Sequence, residues 1–342
     1  DDNCGICHKP YTGNEYDISV TGAHTVEYKS NQLPGILVNI VSITSTNPNR
    51  SPLVTFTISD KFGPIDPNSL NRLLFNLSGP NDDFAFYVQE SVVGKARQVE
   101  GTSNWTYQFT AKVPKDATGS YTLGAEGRKP ELINPGQANE IEHNDQMQNI
   151  TYAFAVTDAE PMARRQVVDD AKCENCHANL SLHGENRHDA NGYCETCHMP
   201  GATDAVVRPA IDNPPESIHF KYMIHKIHRG EELQNGFVVY GYRGSVHDFG
   251  EVLFPGDLRN CESCHLAGTY TLPLPADVLP TLSPNTAINP IMLPTAAACL
   301  SCHDSDDAAA HADANTSANL GESCATCHGN GKTYAVERVH AR

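Results

Sequence analysis

The sequence predicts a two-part fold: a Greek-key β-barrel or sandwich over residues 25–160, then a mostly irregular, short-helical region over 161–342, with a separate N-terminal segment at 1–24. Three observations carry this. Short β-prone stretches crowd the first half, all 12 cysteines fall into one repeated unit concentrated in the second half, and prolines accumulate between positions 273 and 294.

The β-prone stretches come first. Segments 36–43, 53–59, 73–77, 105–113, 121–125 and 150–156 are rich in β-branched and aromatic residues and alternate in part, as in Thr106-Tyr107-Gln108-Phe109-Thr110. Turn formers such as Asn47-Pro48-Asn49 and Gly79-Pro80-Asn81-Asp82 separate them. About seven short strands broken by such turns predict a sandwich or barrel.

The cysteines set the chemistry of the second half. They form six Cys-x-x-Cys-His units: Cys4, Cys7 and His8; Cys173, Cys176 and His177; Cys194, Cys197 and His198; Cys261, Cys264 and His265; Cys299, Cys302 and His303; Cys324, Cys327 and His328. In a c-type haem attachment unit two thiols form thioethers to the porphyrin and the adjacent histidine binds the iron from one face. Zinc sites would not require a histidine directly after the second cysteine every time, and a redox dithiol would occur once, in a βαβ setting. Six units that leave no cysteine over therefore predict six covalent haems, and haem attachment of this kind is extracytoplasmic. One unit stands at the N-terminus, none between residues 9 and 172, and five lie between Cys173 and His328. Haems that dense supply much of the buried apolar surface themselves, so short helices and loops suffice there. Pro273, Pro275, Pro280, Pro284, Pro290 and Pro294 predict an extended loop over 270–295.

Ten histidines remain as second ligands. Residues 215–230 predict a helix opened by proline and closed by Gly230, on which His225 and His228 stand one turn apart and serve two neighbouring irons. His183 follows His177 too closely to wrap the same haem and should serve another; His311 and His340 follow haem units at moderate distances, and His24 follows His8. The distal candidates are thus His24, His183, His225, His228, His311 and His340, with His219 and His247 in reserve as ligands or propionate partners, and His143 and His188 read as surface residues. Which distal histidine serves which iron stays open. Histidine on both faces leaves an iron able to exchange electrons with no position for substrate.

A formal net charge of -17 makes nucleic acid a poor partner. No stretch approaches the roughly 20 apolar residues of a membrane-spanning helix, and the Asp1-Asp2-Asn3-Cys4 start lacks the basic and apolar regions of a signal peptide, as expected of a mature or trimmed chain.

The order of these features resembles a known family. His183-Gly184, Ile224-His225-Lys226-Ile227-His228-Arg229-Gly230, Phe254-Pro255-Gly256 and Val339-His340, set among the five C-terminal units, resemble the outer-membrane cytochromes of the OmcA/MtrC family. That resemblance implies bis-histidine haems displayed on the outer cell surface. It also implies electron transfer to metal oxides, metal chelates or flavins, and a partner made of a porin with an embedded cytochrome. Members usually carry ten haems in two barrel-plus-five-haem halves. The present chain resembles one half, with Cys4 to His24 like the tail of a preceding module. The barrels of relatives often hold a disulfide that this chain, with every cysteine in a haem unit, cannot form. Ser283-Pro284-Asn285 matches only loosely a mineral-binding triplet proposed in the family.

The expected function is extracellular electron transfer through six haems to a terminal acceptor or a partner cytochrome, without a dedicated substrate site. Two alternatives stand beside it: a subunit of a self-associating filament in which haem ligands are shared between copies, and a multihaem reductase with one open iron. A periplasmic location is the alternative to the outer surface.

Overall fold

The computed structural model describes residues 4–177, 179–187, 192–284 and 290–341, leaving aside the side chain of Cys7. His188 and Asn285 therefore lie outside the described residues.

Two short helices, α1 (Cys4–Cys7) and α2 (Val20–Ala23), precede a sandwich of two antiparallel sheets. Its strands are β1 (Leu37–Thr44), β2 (Leu53–Asp60), β3 (Gly63–Pro64), β4 (Arg72–Gly79), β5 (Phe86–Ser91), β6 (Arg97–Gln98), β7 (Trp105–Gln108), β8 (Ser120–Ile133), β9 (Ile141–Gln146) and β10 (Ile150–Ala155). The first sheet runs β1-β2-β7-β6 with β3 on β2; the second runs β10-β8-β4-β5, and β9 continues the edge beside the far end of β8. The chain crosses between the sheets after β3, after β5 and after β7, so neither sheet is complete without the other.

The core lies between the sheets. In β2 every second residue, Val54, Phe56 and Ile58, is buried, which is the alternation of a strand with one wet face. Those side chains meet Leu73, Phe75 and Leu77 of β4 and Tyr121, Leu123 and Ala125 of β8. The Phe56 and Phe75 rings stand edge to face with centroids 5.1 Å apart, and Tyr107 extends the cluster 5.9 Å from Phe75.

The second sheet departs from alternation. From Ser120 to Gly127 every residue of β8 is buried, because the outer face is covered too. There Asn76, Ser78, Thr122 and Glu126 lie beneath a short helix of the haem-unit region, residues Tyr193–Cys197. Gly124 allows the approach: a side chain there would come within 2.7 Å of the Tyr193 ring.

The remainder is built as expected from short pieces: α3 (Asp170–Cys173), α4 (Tyr193–Cys197), α5 (Phe220–Arg229), α6 (Pro294–Leu300), α7 (Asp306–Ala314), α8 (Ala325–His328) and α9 (Val336–Val339), with two-stranded ribbons between. A small cluster of Tyr222, Leu233, Phe237, Met292 and Ala297 is the main apolar core of this part among the described residues.

Two sequence expectations are corrected in detail. The helix expected over 215–230 begins only at Phe220, because the backbone before it is taken: Asp204 N–H donates to the Glu216 carbonyl (3.1 Å) and the Asp204 carboxylate accepts from Glu216 N–H (2.8 Å). Pro294 belongs to no loop; it opens α6, where its missing N–H costs nothing.

Candidate haem sites

The histidines of five Cys-x-x-Cys-His units each face one other histidine. Ring centroids are 6.0 Å apart for His177 and His228, 6.0 Å for His198 and His183, 6.0 Å for His265 and His225, 6.1 Å for His303 and His340, and 6.2 Å for His328 and His311. An imidazole nitrogen binds a transition metal at about 2 Å and the ring centroid sits about 1 Å behind it, so two imidazoles on opposite faces of one metal have centroids roughly 6 Å apart. The residues present fit a metal held between each pair.

The orientation of the rings points the same way. A backbone carbonyl can only accept, so a ring nitrogen bonded to one must carry the proton and leaves the other nitrogen as a lone-pair donor. Nδ1 of His198 donates to the Ile218 carbonyl at 2.8 Å, that of His228 to Ile224 at 2.8 Å, that of His328 to Tyr334 at 2.9 Å and that of His340 to Val336 at 2.9 Å. In every case Nε2 is left to coordinate, the usual arrangement of a histidine ligand and its supporting hydrogen bond. Burial favours the neutral form that ligation requires at several of the paired histidines: it lowers the pKa of His198, His228, His265 and His303, and takes His225 down to about 4.

Local structure explains how each ring is carried. His225 and His228 share α5, three positions apart on one face, and Gly230, with φ of 45°, ends that helix. His311 rides on α7, whose N-terminus is capped by Ser305 accepting from Ala308 N–H at 3.2 Å. His340 follows α9 directly. His183 stands apart from these. It sits in a turn closed by the Leu182–Arg187 bridge and has φ of 56°, with Gly184 and Glu185 also in the left-handed region.

The N-terminal unit is arranged differently. His8 Nδ1 donates to the Ile18 carbonyl (3.0 Å) and His24 Nδ1 to that of Val20 (2.6 Å), so both present Nε2, but no ring contact joins the two among the described residues. The reserve histidines also separate. His247 is exposed and uses Nε2 toward Ser245, whereas His219 is buried with Nδ1 on the Thr281 hydroxyl at 2.8 Å and, among the described residues, no ring contact with another imidazole. His143 lies on β9.

Sequence reasoning missed the polar seam beneath the Cys194 unit. The Glu126 carboxylate, fully buried, accepts from Arg72, from Arg187 Nε at 2.6 Å and from the Tyr193 hydroxyl at 2.8 Å. Burial raises its pKa, but the hydrogen bonds and charges of the two arginines outweigh that and hold it below the ordinary carboxylate range. Asp83 is similar: Arg164 at 3.0 Å, Arg165 at 3.2 Å and the Leu279 N–H at 2.9 Å overcome its burial and leave its pKa lowered. Both carboxylates join sandwich to haem-unit region. Neither stands in a pattern that marks it in sequence.

Comparison with known proteins places these features. Residues 165–341 match the family profile of outer membrane cytochromes described as MtrC/MtrF-like, domains II/IV. Among solved structures, the chain superposes on the outer membrane decaheme cytochrome OmcA with a TM-score of 0.50 and 19% identity, covering 89% of this chain and 47% of that one. It superposes on MtrC from Shewanella baltica OS185 with a TM-score of 0.55 and 15% identity, covering 87% of this chain and 52% of that one. The chain thus spans about half the length of these solved relatives. No curated protein sequence matches it.

Proposed function

The chain belongs to the MtrC/MtrF-like outer membrane cytochromes, and from that premise we propose that it is an extracellular electron conduit carrying six c-type haems. When bound, these groups would supply reversible one-electron chemistry. The cysteine pairs 4 and 7, 173 and 176, 194 and 197, 261 and 264, 299 and 302, and 324 and 327 hold them covalently, and His8, His177, His198, His265, His303 and His328 bind one face of each iron. His228, His183, His225, His340 and His311 close the second face of the five C-terminal irons, in the order of their units, and His24 is the candidate for the first.

The observation that carries this is the set of five imidazole pairs at 6.0–6.2 Å. Imidazoles paired in this way would leave no open coordination position, which fits groups that pass electrons to an acceptor rather than bind it. Metal oxides, chelated metals and flavins fit that description, as does a neighbouring cytochrome. The outer cell surface and a porin–cytochrome partner accord with the family. We assign residues 1–24, 25–160 and 161–342 to an N-terminal haem segment, the sandwich and a pentahaem domain respectively.

A second reading has one specific support: His8 and His24 do not meet face to face. A histidine from another copy would then complete the first iron, as in a filament. Electron paramagnetic resonance of the oxidised monomeric protein, with haem quantified on the same sample, separates these. Only low-spin iron, six per chain, is expected; one equivalent of high-spin iron that disappears on self-association would favour the filament, and one that persists would favour a reductase.

A further inference from the structure

Four candidate distal histidines of the C-terminal region, His225, His228, His311 and His340, stand on or directly after helices of that region. His183 does not, and the backbone around it is left-handed at three positions in a row: His183, Gly184 and Glu185 have φ of 56°, 71° and 61°, a conformation that the two residues with a Cβ resist. Something outside the turn must hold it.

What holds it is the outer face and edge of the sandwich. Arg128 of β8 donates from Nη1 to the Gly184 carbonyl at 2.5 Å. Asn149, buried between β9 and β10, donates from Nδ2 to the Asn186 carbonyl at 3.0 Å, and Asn186 in turn donates to the His183 carbonyl at 2.6 Å. Ser181 donates to Gln146 of β9 at 3.1 Å, and Glu126 grips Arg187 at the other end of the turn. Within the turn, the Leu182 and Arg187 backbones pair with each other, which closes the loop without fixing its direction.

We propose that the β-sandwich is the positioning element for one iron ligand: Glu126, Arg128 and Asn149 aim His183 at the iron of the Cys194–Cys197 unit, so that this haem alone has a coordination state that depends on the sandwich. The inference rests on the assignment of His183 as that iron's second ligand. Loosening the clamp lets the turn relax and the imidazole withdraw, which opens one coordination position to a small exogenous ligand.

The test is carbon monoxide binding to the reduced, haem-loaded full chain, read from the Soret band. Wild type with every iron closed binds little. Arg128→Ala combined with Asn149→Leu, which keeps the volume of the buried amide, should bring one haem in six into carbon monoxide binding, matching His183→Ala; Arg128→Ala alone, a milder change, should give a smaller fraction. Circular dichroism of each variant checks that the sandwich is still folded. If His183→Ala opens one haem and the double variant with a folded sandwich opens none, the positioning role is overturned. Opening of several haems by the double variant overturns it as well. If His183→Ala itself opens none, the ligand assignment falls, and the inference with it.

Discussion

The sandwich and the haem-unit region solve the same problem, burying enough apolar surface to fold, by different means. The sandwich does so with its own side chains: Phe56, Phe75, Leu77, Tyr107 and Leu123 are among its fully buried residues, and long-range strand pairing fixes their register. The second region has a much smaller core around Tyr222 and Phe237, yet five pairs of histidines stand at metal-bridging distance within it. A fold of this second kind delegates its core to bound groups. Its polypeptide has only to fix where they sit, which is why helices of four to ten residues suffice.

That contrast is open to direct attack. The largest effect is expected when the full chain is made without haem attachment. Amide hydrogen exchange should then show protection retained through β1–β10 and lost across the haem-unit region; equal protection in both would remove the distinction. Next comes Phe75→Ala, which empties a fully buried site between the sheets. It should cost about 3–5 kcal/mol in the unfolding of the sandwich, visible in denaturant titration followed by far-ultraviolet dichroism.

Acid should act on the boundary between the two parts. Glu126 and Asp83 both have lowered pKa values, so their contribution is complete above the ordinary carboxylate range, near pH 4 to 5, and is lost as pH falls through their lower folded values. The wild-type protein should therefore gain carbon monoxide binding at acid pH before the sandwich melts; simultaneous loss of both would mean the boundary has no stability of its own. The smallest effect is expected from Ser305→Ala. Removing that cap should cost about 1 kcal/mol, confined to α7, where exchange rates would rise around His311 without change elsewhere.

Much of this was legible beforehand, for a physical reason that differs between the parts. Covalent chemistry writes itself locally: a thioether unit needs its two cysteines and histidine within five positions, so every candidate Cys-x-x-Cys-His unit could be read from the chain. Strands with β-branched and aromatic runs, such as 53–60, were equally plain. Strand β9, Ile-Glu-His-Asn-Asp-Gln, was not, since it is held by main-chain pairing to β8 and carries little apolar signal. The extension of β8 to Ile133 was hidden in the same way. Least legible was the clamp on His183. Its partners are separated by 61, 56 and 37 positions and are ordinary polar residues whose meaning arises only when the fold brings them together.

The last two histidine pairs are nested. His303 faces His340, from beyond the final unit, while His328 faces His311, from between the two units. Under the proposed ligation one site encloses the other along the chain: the stretch that leaves His303 and returns with His340 contains both histidines of the second pair. That gives the C-terminal quarter an assembly order. The iron beside His303 cannot be closed until the final unit has been made and its following helix has turned back, so the outer site is the later of the two that a growing chain can complete.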